Sequence, residues 1–195
     1  MSQIQHFPDT HHDASANTYF GFWIYLMTDC ILFASFFAAY AVLQVGTNGG
    51  PGPKELFSLP FALQETLILL VSSFTCGLAT INTSKKKMLI FFTLTFILGA
   101  AFMYMELTEF NRLIADKNTW QTSAFLSSYF TLIGIHGLHI VVGLLFMVIF
   151  MAQMCIQGLD AVLIRRINCL RMYWHFVYLI WIFTFSIVYL IGVAA

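Results

Sequence analysis

The sequence predicts an all-α membrane protein, a polytopic bundle of five transmembrane helices. Of 195 residues, 59% are hydrophobic and only 9% are charged, against roughly 25% charged in soluble domains. Mean hydropathy is +0.82. The apolar residues gather into five stretches, each close to the ~20 residues that cross a hydrocarbon core about 30 Å thick at about 1.5 Å per residue. Helices are expected over strands because lipid offers the backbone no hydrogen-bond partner, and the stretches are apolar nearly all round.

Residues 1–18 are polar and carry Asp9 and Asp13 but no Lys or Arg. A secretory signal begins with a positive region, so this segment is read as a flexible tail. His6, His11 and His12 belong to it as solvated residues rather than metal ligands. The transmembrane domain then covers 19–195. Its first span is placed at 20–45 and ends in GTNGGPGPKE, a Gly/Pro cluster through which no helix continues. The second, 59–81, ends at a short polar hairpin, NTSKKK. The third, 88–109, is followed by the doubly charged NRLIADKNTWQ. The fourth, 123–152, is the longest; at ~45 Å it must tilt or protrude. QGLDAVLIRRIN at 157–168 is read as a longer basic connection before the fifth span, 172–193.

Lys and Arg bias sets orientation. Lys85, Lys86, Lys87, Arg165, Arg166 and Arg171 fall on the side of the N-terminus, and Lys54, Arg112 and Lys117 on the other. The N-terminus is therefore expected in the cytoplasm and the C-terminus in the periplasm. Trp23, Trp120 and Trp174 sit near span ends as interfacial anchors, whereas Trp181 lies deeper and packs in the bundle.

Several function classes drop out early. Net formal charge is zero, so no basic surface points to nucleic acid. No phosphate loop, nucleophile–base pair or Ser-His-Asp set stands out. Cys30, Cys76, Cys155 and Cys169 are scattered without metal-ligand spacing and are read as small apolar residues.

What remains is a set of ionisable residues inside spans, each of which costs a few kcal/mol or more and needs a reason. They are Asp29, Glu65, Glu106, Glu109, His136, His139 and His175. No Lys or Arg lies well inside a span, and an unpaired buried carboxyl disfavours its charged form. Glu65 is accordingly read as a neutral, hydrogen-bonded acid. Glu106 and Glu109, and likewise His136 and His139, stand i,i+3 and share a helix face. Those four suggest a metal site on two helices. Against it, the glutamates fall near the outer interface, the histidines lie nearer the middle, and no E-x-x-H motif occurs. A second reading is proton-coupled transport, but no internal repeat or broken helix supports it. The third reading is a hydrogen-bonded network that ties the helices together or meets lipid headgroups. Small residues at Gly99-Ala100-Ala101, Gly134, Gly137 and Gly143 would let helices approach closely. From the residues alone the chain is a five-helix membrane subunit or a small transporter.

Taken together, five segments resemble subunit III of the haem–copper respiratory oxidases. FGFWIYLMTDCILFASFFAAYAVL is similar to that family's opening helix, with an acid, Asp29, near its middle. LPFALQETLILLVSS resembles the helix with its membrane-embedded glutamate, which would be Glu65. GAAFMYMELTEF is similar to the helix ending in two acids, Glu106 and Glu109. IGIHGLHIVVGL resembles the H-G-x-H signature at His136 and His139, and YWHFVYLIWIFTFSIVYL the last helix, with Trp174, His175 and Trp181. The five-helix layout is most similar to the bo-type branch found in bacterial ubiquinol oxidases.

The resemblance implies an accessory, noncatalytic subunit of a proton-pumping inner-membrane complex that reduces oxygen to water. Haems and copper are expected in subunit I, with no metal or cofactor on this chain. The expected partners are subunit I as main contact, subunits II and IV, and structural phospholipids. Glu65 is expected to serve proton uptake or lipid binding, and the other six residues a polar network or lipid contact. A subunit-III-like chain of a cytochrome c oxidase or nitric oxide reductase shares the fold, so the electron donor stays open beside the transporter reading. Tyr178 departs from the family, which carries an acid after W-H-F-V; any role of that acid does not transfer here.

Overall fold

The computed structural model describes residues 10–81 and 84–192. Within them the fold is wholly helical: α1 (Thr10–Leu43), α2 (Pro53–Leu56), α3 (Leu59–Ile81), α4 (Lys85–Ala115), α5 (Ala124–Gln157) and α6 (Ala161–Thr184), which continues as a π-helical segment, Phe185–Ile191. Five of these helices are long and apolar enough to cross a membrane. Residues 1–9, with His6, lie outside the described part. Helix α1 already begins at Thr10, so the expected tail boundary at residue 18 does not coincide with the helix start.

Local chemistry explains the breaks. Asn48 and Gly49 turn the chain after α1 with φ of 53° and 77°. Pro53 then opens the single turn α2, consistent with its fixed φ and missing N–H. Gly46 O accepts the N–H of Phe125, joining this loop to the start of α5. Ser84 is the N-cap residue of α4, and Ser123 caps α5 through the Leu126 N–H.

The expected basic connection at 157–168 is corrected. Gly158, at φ 83°, ends α5, and Asp160 caps α6 by accepting the Ala161 N–H at 2.8 Å. The loop shrinks to three residues because Leu163, Ile167 and Leu170 form one buried row that extends α6 downward. The placement of Trp174 near a span end fails with it. That residue lies mid-helix and is 1% exposed, whereas Trp23 and Trp120 are each 53% exposed.

α3, α4, α5 and α6 form a ring, with α3 against α4 and α6, and α5 against α4 and α6. α1 lies outside this ring in the groove between α5 and α6. Trp174 from α6 fills the ring's centre. Its indole is flanked by Gly99 of α4 and Gly143 of α5, where an added Cβ would stand 2.8 Å from ring carbons in both cases. Its N–H reaches Ser72 Oγ of α3 at 3.2 Å. Ser72 in turn donates to the Thr95 carbonyl, and the hydroxyls of Thr75 and Thr95 meet at 2.9 Å. Gly137 is also a packing site, against Met103, while Gly134 faces open space. The outer faces carry large apolar side chains such as Phe20, Ile31, Phe74 and Leu138, at 60–72% exposure. A soluble protein would bury such a belt; here lipid or a partner chain meets it.

Candidate functional site

The intramembrane polar residues separate into two groups. Asp29, on α1, and His139, on α5, form an outer pair; Asp29 Oδ2 lies 3.8 Å from His139 Nε2. That distance is too long for a hydrogen bond. The imidazole is anchored by its own helix, with Nδ1 2.8 Å from the Ile135 carbonyl, and the Phe33 ring of α1 sits 5.0 Å away. Tyr173 of α6 donates to the His139 carbonyl.

The second group is fully enclosed by α3, α4, α5 and the end of α6. Glu65, Glu106 and Glu109 are 0%, 2% and 4% exposed and act electrostatically on one another. Tyr189, carried by the π-helical segment, donates its O–H to Glu109 Oε2 at 3.0 Å. Its oxygen also lies 3.0 Å from the hydroxyl of Tyr129 on α5. π-Helical turns recur at functional sites, where they re-aim one side chain. Phe57, between α2 and α3, covers the cluster, with its ring 4.7 Å from Tyr129 and 5.0 Å from Tyr189. Among the described residues the cation acting on it is Arg112, one turn beyond Glu109, which also donates to the Leu56 carbonyl at 3.0 Å.

Glu65 does not have the hydrogen bonds expected of it: neither of its carboxyl oxygens has a partner. Glu106 Oε2 and Glu109 Oε1 are in the same condition. Next to Glu65, Thr66 accepts the indole N–H of Trp181. The Trp181 ring lies tilted beside His136, whose Nε2 lies 3.2 Å from the Val177 carbonyl of α6.

The two histidines therefore look to different neighbours. His136 meets α6 and the Phe102 ring of α4, whereas His139 meets Asp29 and Phe33 of α1 and the Tyr173 ring at the α1 side of α6. Residues i,i+3 differ by about 60° around a helix, and α5 is wedged so that this angle falls across the boundary between α6 and α1. Among the described residues no group of three or more His, Cys, Asp or Glu side chains is arranged to hold a metal ion. His175 joins neither group. It is exposed, its Nδ1 lies 2.8 Å from the Arg171 carbonyl, and its ring borders Gly77.

Sequence reasoning missed Tyr129, Tyr189 and Arg112 as partners of the glutamates. Spacing inside one span reveals helix faces, but nothing in the sequence marks which tyrosine from another span arrives opposite. An apolar groove of about 590 Å³ also runs between α1, α5 and α6, lined by Phe22, Tyr25, Phe146, Tyr173, Arg165 and Arg166 among others.

Fold and site thus define a multi-pass helical membrane protein whose polar chemistry is internal and shared between helices. Comparison with known proteins gives its family: residues 5–193 match the cytochrome c oxidase subunit III family. The chain belongs to that family. It is 51% identical over 97% of its length to cytochrome bo(3) ubiquinol oxidase subunit 3 of Pseudomonas aeruginosa, covering 92% of that protein. Identity to the protein of the same name from Pseudomonas putida is 47%, covering 93% of this chain and 89% of that one. Cytochrome c oxidase subunit 3 of a Bacillus species is 40% identical, over 90% of this chain and 86% of its own.

Proposed function

We propose that this chain is the noncatalytic subunit III of a proton-pumping terminal quinol oxidase, set in a bacterial inner membrane beside subunit I and in company with subunits II and IV. The observation that carries this reading is the 51% identity, nearly end to end, to a chain named as subunit 3 of a ubiquinol oxidase. Under it, the haems and copper belong to subunit I.

The subunit's contribution is mechanical and dielectric. Polar groups in lipid hold helices together when their partners lie on other helices, and here hydrogen bonds cross α3–α4, α3–α6, α4–α6 and α5–α6. The bundle presents a stiff apolar face to its neighbour. Lipid binding is proposed for the groove between α1, α5 and α6, where Arg165 and Arg166 would meet an anionic headgroup and Phe22 and Phe146 an acyl chain. Asp29, His139 and His175 are assigned to the polar or lipid-contacting set. Glu65, Glu106, Glu109 and His136 are assigned to the internal network. The N-terminus is proposed to be cytoplasmic from the Lys/Arg bias. Glu65 then lies in the outer half of the bundle, which makes direct service in proton uptake from the cytoplasm the less favoured of its two expected roles.

A second reading concerns only the electron donor. The Bacillus relative is named as part of a cytochrome c oxidase, so the same fold is compatible with that donor. Purification in mild detergent through a tag on this chain tests both readings. Haem and copper that co-purify, with quinol-dependent oxygen consumption, support the proposal; consumption driven only by cytochrome c selects the second reading. A colourless, metal-free chain that moves solute when reconstituted alone would instead establish a transporter.

A further inference from the structure

We propose that Glu65, Glu106 and Glu109 form a proton-holding site in which Glu65 and Glu106 carry a proton each and Glu109 alone is charged, in the field of Arg112. Three ionised carboxylates in an apolar enclosure would repel one another with little screening, and each would need several donors. Among the described residues, the charged or titratable groups that act on the cluster are Arg112 on α4, Tyr129 on α5 and Tyr189 at the end of α6. They supply one positive charge and one short hydrogen bond to a carboxylate oxygen, with the Tyr129 hydroxyl also acting on Glu109. That hydrogen bond, from Tyr189, goes to Glu109, and Arg112 acts on the same residue. The negative charge therefore belongs on Glu109.

The second observation concerns Glu65, which reaches the α4 pair from α3. It is wholly buried, and both of its oxygens lack a partner. A buried carboxylate in that condition is the costliest arrangement available to a carboxyl group. A bound proton removes the charge and with it most of that cost. Glu106 Oε2 and Glu109 Oε1 are both without a partner in the same enclosure. The count then closes: three carboxyls less two protons leave one negative charge against the single charge of Arg112. Phe57 and the two tyrosines pack over the cluster from the loop side.

The test is infrared spectroscopy on the intact purified complex, comparing wild type with E65Q, E106Q and E109Q. E65Q and E106Q should each lose one carboxylic-acid C=O stretching band, while E109Q should lose carboxylate intensity and keep both acid bands. Loss of carboxylate intensity in E65Q or E106Q overturns the assignment. Assembly provides a second readout, since Gln copies the shape and neutrality of a protonated Glu. The double variant E65Q/E106Q should retain wild-type haem content, and its failure to assemble counts equally against the proposal. The subunit III reading enters only as the setting of the measurement. Haem co-purification tests that reading and the band pattern tests this one, so either can fail alone.

Discussion

The Trp174 indole lies so close to Gly99 that a Cβ there would stand 2.8 Å from its Cζ2 atom. Gly143 closes the opposite side at the same distance, so one aromatic ring sets the spacing of three helices. Contacts of that kind are intolerant of added volume, because the ring cannot move without displacing a helix.

Gly99→Ala and Gly143→Ala should therefore each destabilise the bundle by about 1–3 kcal/mol, the usual cost of overpacking. Gly134→Ala, where nothing lies within 4 Å, should leave stability unchanged. Thermal denaturation of the purified complex, followed by loss of this subunit, makes the comparison.

Tyr189→Phe removes the donor to Glu109 Oε2 and the partner of the Tyr129 hydroxyl while keeping the ring. It should cost about 1–3 kcal/mol, since a buried acceptor is left unsatisfied. Tyr104→Phe, at a residue 73% exposed, serves as control. Equal melting of the two variants would show that the Tyr189 bond contributes nothing.

His136→Ala should be more damaging than His139→Ala. His136 is wholly buried against Trp181 and Phe102 and bonds to α6, so its loss leaves a cavity at a cost of about 2–4 kcal/mol. His139 is partly exposed and its ring bonds within its own helix. Subunit retention during detergent washing ranks the two, and the reverse order would contradict this account of α5.

Asp29 and His139 should show a small coupling, about 0.5–1 kcal/mol, in a double-mutant cycle with Asp29→Asn and His139→Gln. The 3.8 Å separation, too long for a hydrogen bond, limits it to that range. Strict additivity would mean that the pair is only a neighbourhood.

Orientation can be read from Cys155. It is exposed near the end of α5, where its carbonyl accepts a hydrogen bond from Lys85 at 3.4 Å. With the basic end in the cytoplasm, a membrane-impermeant thiol reagent should label it in inverted vesicles and not in intact spheroplasts. The opposite pattern would reverse the proposed topology.

Hydropathy by itself determined the number of spans, the helical class and the second span to the residue. The five segments also carried the family resemblance that the comparison bore out. Where polar residues were counted as loop, the boundaries slipped. Lys85, Arg165 and Arg166 all sit within helices, because a long basic side chain can ride on a helix end and still reach the interface.

Only the tertiary structure decided which side of each helix faces inward. In water an apolar stripe announces the buried face, but in lipid both faces are apolar and the stripe disappears. Rotation is then fixed by contacts between distant segments: Trp174 against Gly99 and Gly143, Trp181 on Thr66, Tyr189 on Glu109. Glu65, Glu106 and Glu109 could be recognised one by one as costly residues in a membrane. That α3 and α4 bring all three into one sealed enclosure, while α5 parts His136 from His139, follows from helix packing, which spacing within a single span does not encode.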